Sequence, residues 1–156
     1  MSDPDLWLRW VHVIGATILL GTGGGIAFFM LMAHRTRDAR VIAHVAGTVV
    51  IADLVFTATA VVAQPVTGLL LAARMGWPLD SFWIVASLLL YGVAGAFWLP
   101  VVWIQLKMRD LARVAAATDG PLPPAYHRLY RTWFWFGFPA FAAVLAILWL
   151  MIARPA

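Results

Sequence analysis

No cysteine occurs among the 156 residues of this chain. That absence excludes disulfides, thiolate metal sites, iron–sulfur clusters and a c-type haem attached through a Cys-x-x-Cys-His motif. Charge is scarce as well: charged residues make up 12% of the chain, and Lys107 is its single lysine. There is no zinc-type His-Glu-x-x-His motif, and the polar residues present do not assemble into a nucleophile–base triad. Gly21-Thr22-Gly23-Gly24-Gly25 lacks the lysine of a phosphate loop and lies inside an apolar run. It reads instead as a place of close helix packing, helped by Gly92 and Gly95. No internal repeat stands out, which argues against a duplicated transporter core.

Apolar residues dominate what is there. They form 63% of the chain, and its mean hydropathy is +0.88. Four apolar stretches, at 6–33, 41–73, 82–106 and 130–152, each exceed the roughly 20 residues that cross a bilayer as helix. The runs are continuous, without the alternation of a membrane β-barrel. The expected fold is therefore all-α: a polytopic membrane protein, an antiparallel four-helix transmembrane bundle forming one domain over 1–156. Arg35-Thr36-Arg37-Asp38 and Met75-Gly76-Trp77-Pro78 make short turns, with Asp80-Ser81 as an N-cap for the third helix. That helix continues past Lys107, Arg109, Asp110 and Arg113 towards Ala117, until Asp119-Gly120-Pro121-Leu122-Pro123-Pro124 breaks it. Pro65, Pro100 and Pro139 lie inside spans and favour kinks.

The net charge of +4 and the pI near 10.4 do not point to nucleic acid, because the cations sit at span ends. Arg35, Arg37, Arg40, Lys107, Arg109, Arg113, Arg128 and Arg131 share one side; Arg9, Arg74 and Arg154 share the other. The positive-inside rule then places both termini away from the cytoplasm, on the periplasmic side of a bacterial inner membrane. The acidic start, Ser2-Asp3-Pro4-Asp5, and the lack of a small-residue cleavage site predict that the first span is retained. Trp7, Trp10, Trp77 and Trp83 are expected in the aromatic belt near the termini, with Trp133 and Trp135 near the opposite one.

His12 is the most informative polar residue. An ionisable ring inside a bilayer usually lines a cavity, pairs, or holds a ligand. It lies roughly 9 Å of helix rise beyond Leu6 and shares a helix side with Gly15, Leu19 and Gly23. Small residues there would let a helix or a flat cofactor approach. Three readings stay open: axial ligation of haem b iron by a neutral imidazole, another metal, or a hydrogen bond to a neighbouring helix. His34, His44 and His127 fall towards the opposite surface. A haem at His12 would therefore be five-coordinate, use Met75 or Met151, or borrow a ligand from a partner such as a second copy in a homo-oligomer.

At the cation-rich surface, His44 and His127 could hold a cofactor, with Arg40, Arg128 and Arg131 pairing haem propionates or an anionic lipid; ordinary interfacial residues would look the same. His34 beside Arg35 reads as an end-of-helix residue. Asp53 is the deepest acid and the candidate catalytic residue. Asp53, Thr57, Gln64 and Gly68 fall on one side of span two, and a polar stripe in an apolar helix must face protein or water. It could carry protons, contact a quinone or touch a cofactor edge, or it could simply bond between helices.

Several segments carry a resemblance. They are Trp10-Val11-His12-Val13-Ile14-Gly15, Gly25-Ile26-Ala27-Phe28-Phe29-Met30 with Ala33-His34-Arg35, Gln64-Pro65-Val66-Thr67-Gly68, and Trp98-Leu99-Pro100-Val101-Val102-Trp103 followed by Met108-Arg109-Asp110-Leu111. Over nearly its whole length the chain resembles a bacterial family of predicted four-helix integral membrane proteins of uncharacterised function. More distantly, span one is similar to the first helix of HemJ-type protoporphyrinogen oxidases and of CopD-type membrane proteins, with His12 and His34 matching their early and late histidines. The HemJ-type resemblance implies haem b at His12. It does not extend to the lysine those enzymes carry early in their third helix, where this chain reads Phe82-Trp83-Ile84-Val85-Ala86-Ser87. The expected function is thus a b-type haem membrane protein of electron transfer, working with a quinone or a membrane redox partner. The alternatives are a CopD-like copper or small-solute transporter and a cofactor-free accessory subunit.

Overall fold

The computed structural model describes residues 3–155. Of the stretch 1–156 read as one domain, residues 1, 2 and 156 lie outside the described residues, Ser2 of the acidic start among them. The elements run α1 (Asp3–Thr36), α2 (Ala39–Ala52), a π-helical turn (Asp53–Thr57), α3 (Ala58–Met75), α4 (Phe82–Ala117) and α5 (Pro124–Ala153). With α2, the π turn and α3 forming one continuous span, four helices are long and apolar enough to cross a membrane. The all-helical, four-helix bundle expected from the apolar runs is the observed fold. The helices overrun the apolar windows, and α5 begins at Pro124, because the missing N–H and fixed φ of proline cost nothing at a first helical position.

The turns follow local chemistry. Asp38 caps α2 by accepting from the backbone N–H of Arg40 (2.8 Å) and of Val41 (3.4 Å). Gly76 ends α3 in the left-handed region (φ 67), which lets Trp77 N–H reach back to the Ala72 carbonyl at 2.9 Å. Ser81 occupies the N-cap position of α4, as expected, but its hydroxyl donates to the Pro78 carbonyl (2.7 Å) and leaves the helix end uncapped by that side chain.

The tight core lies towards the cation-rich end. Met30, Ile42, Met108 and Tyr126 are its largest fully buried side chains, drawn from α1, α2, α4 and α5. Met108 and Tyr126 lie beyond the apolar windows, so at this end of the bundle expulsion of water adds to close packing. Span two divides its loyalties: α4 packs on α2 and α5, whereas α3 packs on α1.

Two expectations need correction. The glycine run packs against another helix only at Gly24, where a Cβ would stand 3.9 Å from Phe141 of α5; at Gly21, Gly23, Gly92 or Gly95 it would meet nothing within 4 Å. Trp133 is no belt residue: it is only 5% exposed and sits in the core, and only Trp135 of that pair is exposed. The helical pattern runs on through Pro65, Pro100 and Pro139, and span two leaves α-helical geometry at Asp53–Thr57. Pro65 still leaves a mark. Its missing N–H frees the Val61 carbonyl one turn earlier, and the Tyr91 hydroxyl of α4 donates to that carbonyl.

Candidate functional site

Near the end that carries the termini, α1 and α3 are joined by polar contacts centred on His12. Gln64 Nε2 donates to the His12 backbone carbonyl at 2.7 Å. His12 Nδ1 lies 2.8 Å from Thr67 Oγ1. The Thr67 hydroxyl, 2.7 Å from the Ala63 carbonyl, has that carbonyl as a pure acceptor for its one proton. The His12–Thr67 contact is therefore assigned as Nδ1–H donating to Oγ1. This tautomer leaves a lone pair on Nε2, for which the described residues offer no hydrogen-bond partner.

Glycines make the approach of α1 and α3 feasible. A Cβ on Gly15 would overlap Gln64 Nε2, and one on Gly68 would stand 3.1 Å from His12 Cε1. Thus Gly15 accommodates Gln64 and Gly68 accommodates the His12 ring. Of the residues sharing His12's helix side, Gly23 keeps open space around it. Met75 is drawn to Arg9, whose guanidinium approaches its sulfur at 3.8 Å.

Asp53 belongs to a second cluster, about 16 Å along span two from Gln64 at ordinary helical rise. It is 4% exposed. Trp98 Nε1 donates to its Oδ1 at 3.3 Å. In the amide orientation that satisfies both neighbours, Gln105 donates to Asp53 Oδ2 (3.3 Å) and accepts from Trp133 Nε1 (3.2 Å). The π turn carries Asp53 as its first residue, with Ala58 N–H bonded to the Asp53 carbonyl; such bulges recur at functional positions. Thr57, one turn on, turns a buried hydroxyl towards the Asp53 carboxyl. Of the stripe foreseen on span two, Asp53, Thr57 and Gln64 are buried and Gly68 is half-buried, yet it serves two neighbours: Asp53 meets α4, and Gln64 and Gly68 meet α1.

The cation-rich surface separates His44 from His127. His44 is exposed and shares a shallow groove with Gly47, Thr48 and Arg113. His127 lies edge-on to His34, ring centroids 5.9 Å apart. His34 is more than a helix end: its ring stacks on Tyr130 at 3.6 Å and its Nδ1 lies 3.3 Å from the Tyr126 hydroxyl. Arg40 is engaged with Asp119. Among the described residues, no three His, Cys, Asp or Glu side chains group as a metal site.

The composition left Thr67, Trp98 and Gln105 unmarked as site residues and pointed Trp133 to the aromatic belt. Gln105 carried a usable signal, an uncharged polar residue just inside the end of an apolar run. Thr67 stands one helical turn from Gln64, and tryptophans at these depths look like any other apolar residue.

Four apolar spans crossing as one bundle, with polar side chains tied helix to helix, define a polytopic helical membrane protein. The chain belongs to the family described as predicted integral membrane protein (DUF2269), whose model matches residues 6–155. It matches no curated protein and no solved structure.

Proposed function

We propose that this chain is a small membrane redox protein that holds haem b through His12. The observation that carries the reading is the His12 ring itself: Nδ1–H is fixed by Thr67, its backbone is fixed by Gln64, and Nε2 keeps a free lone pair. Ligating histidines characteristically donate their other ring N–H to an oxygen, which sets tautomer and orientation and raises ligand basicity. A single neutral imidazole suits haem iron better than a cofactor needing several protein donors. The haem, when bound, supplies a one-electron couple. Thr67 holds the ring against rotation, and Gly68 gives the ring its room. The similarity of span one to HemJ-type proteins supports the same residue.

Asp53 we assign to holding α4 against span two, since two N–H donors from α4 converge on its carboxyl. The electron partner is a quinone or another membrane redox protein. The membrane is the bacterial inner membrane, with both termini periplasmic.

An oxidised-minus-reduced absorbance spectrum, with haem extraction, on protein purified in mild detergent from haem-replete cells tests the reading. Stoichiometric b-type bands are expected. They should vanish in His12→Ala and persist in Asp53→Asn. A wild-type protein without bands, or full haem in His12→Ala, overturns the assignment.

A further inference from the structure

A cleft of about 640 Å³ opens at the cation-rich end, lined by His34, Arg35, Arg37, Pro121, Leu122 and His127. It is formed by the end of α1 and the loop entering α5. Both arginines and His127 are exposed. Among the described residues neither guanidinium has an ion-pair or hydrogen-bond partner. The nearby carboxylates are engaged elsewhere: Asp38 accepts from the α2 N-terminus, and Asp119 holds Arg40. His34 is the fixed wall of the cleft, held by its stack on Tyr130 and its contact with the buried Tyr126 hydroxyl.

Two arginines gathered without a counter-ion repel one another, and an anion between them removes that cost. Arginine forks match phosphate oxygens in pairs, and imidazole N–H groups can add single donors. We propose that this cleft binds a phosphate-bearing anion at the membrane surface, with Arg35 and Arg37 as the principal contacts and His127 as an accessory donor. Pro121 and Leu122 give it an apolar flank, which suits a phosphate attached to an acyl glycerol as well as a soluble phosphate. The proposal is independent of haem at His12, which lies towards the other end of the same helix.

The test is native mass spectrometry of the full chain in detergent with added phosphatidylglycerol, phosphatidylcholine serving as the zwitterionic control. Inorganic phosphate is titrated separately by calorimetry. Arg35→Gln with Arg37→Gln should weaken binding about five-fold or more, the size expected for losing two exposed charge contacts. Arg113→Gln, an exposed charge of the same end that lines a different groove, should bind like wild type. Preference for phosphatidylglycerol identifies a lipid headgroup, and saturable phosphate binding without that preference identifies a soluble ligand; either supports the site. The proposal fails if neither probe binds above its control, if the double variant binds like wild type, or if Arg113→Gln loses as much. Circular dichroism checks that the double variant folds, and His127→Gln, also at an exposed position, gives a second readout of the same cleft with a smaller expected loss.

Discussion

Single atoms decide the α1–α3 contact. Gly15 is required because Gln64 fills the place its Cβ would take, and that amide secures the His12 carbonyl. Gly15→Ala must push Gln64 aside, which breaks the bond and overpacks the seam at a cost of about 1–3 kcal/mol. Gly23→Ala meets open space, and alanine is the better helix former by about 1 kcal/mol. Thermal unfolding in detergent should therefore show a lower midpoint for Gly15→Ala and an unchanged or higher one for Gly23→Ala. Equal midpoints would mean that Gln64 does not sit against Gly15. Thr67→Val is the sharper probe of His12, since it keeps the side-chain shape and deletes only the oxygen that receives Nδ1–H. In 15N-histidine spectra the His12 ring should lose its fixed Nδ1–H tautomer; spectra unchanged from wild type would contradict the assigned direction of that bond.

Between elements, the telling coupling is the one proline creates. The Val61 carbonyl lacks its helical donor because residue 65 is proline, and Tyr91 supplies a donor from α4. Tyr91→Phe leaves a buried carbonyl unsatisfied, a loss of about 1–3 kcal/mol. In a Pro65→Ala background the alanine N–H restores the helical bond, so the same Tyr91→Phe change should cost clearly less. A double-mutant cycle of unfolding free energies measures this, and an additive pair would refute the coupling. The four spans could be read from the sequence because span-length apolar runs leave few folds open in a bilayer. The coupling could not, since it joins Tyr91 to a backbone atom that no residue letter shows. Asp53 was legible as a buried acid, but its partner Trp98 lies 45 residues away, and tryptophan reads equally well as a belt residue. The π turn was hidden too, because one extra residue per turn leaves the apolar pattern of Leu54, Val55 and Phe56 unbroken. His44 and His127, candidates at similar depth, line different grooves for a related reason. Similar distance from a helix end fixes a level in the membrane and says nothing about which side of the bundle a residue faces.

For the whole molecule the open question of physics is orientation, and charge compensation sharpens the count of cations. At the end carrying the termini, Arg74 pairs with Asp5 at 3.1 Å. Arg154 lies over the Trp77 ring at 4.3 Å and near Trp83 at 5.6 Å, and Arg9 leans on Met75. Each of those three cations is already occupied by the protein. At the other end Arg40 and Arg109 pair with Asp119 and Asp110 and Lys107 lies over Trp103, but Arg35 and Arg37 have no such partner, so unpaired positive charge still collects on that side. The positive-inside rule counts Lys and Arg near span ends, and both ways of counting predict that the α1–α2 and α4–α5 connections are cytoplasmic. The absence of cysteine makes this directly measurable. Asp80→Cys lies in the α3–α4 turn, on the side of the termini, and Gly120→Cys in the α4–α5 connection, on the opposite side. In intact spheroplasts a membrane-impermeant maleimide should label Asp80→Cys at once, and Gly120→Cys only after the membrane is opened. The reverse pattern would invert the molecule. The cleft of Arg35 and Arg37 would then face the periplasm, and the His12 site would lie nearer the cytoplasmic side.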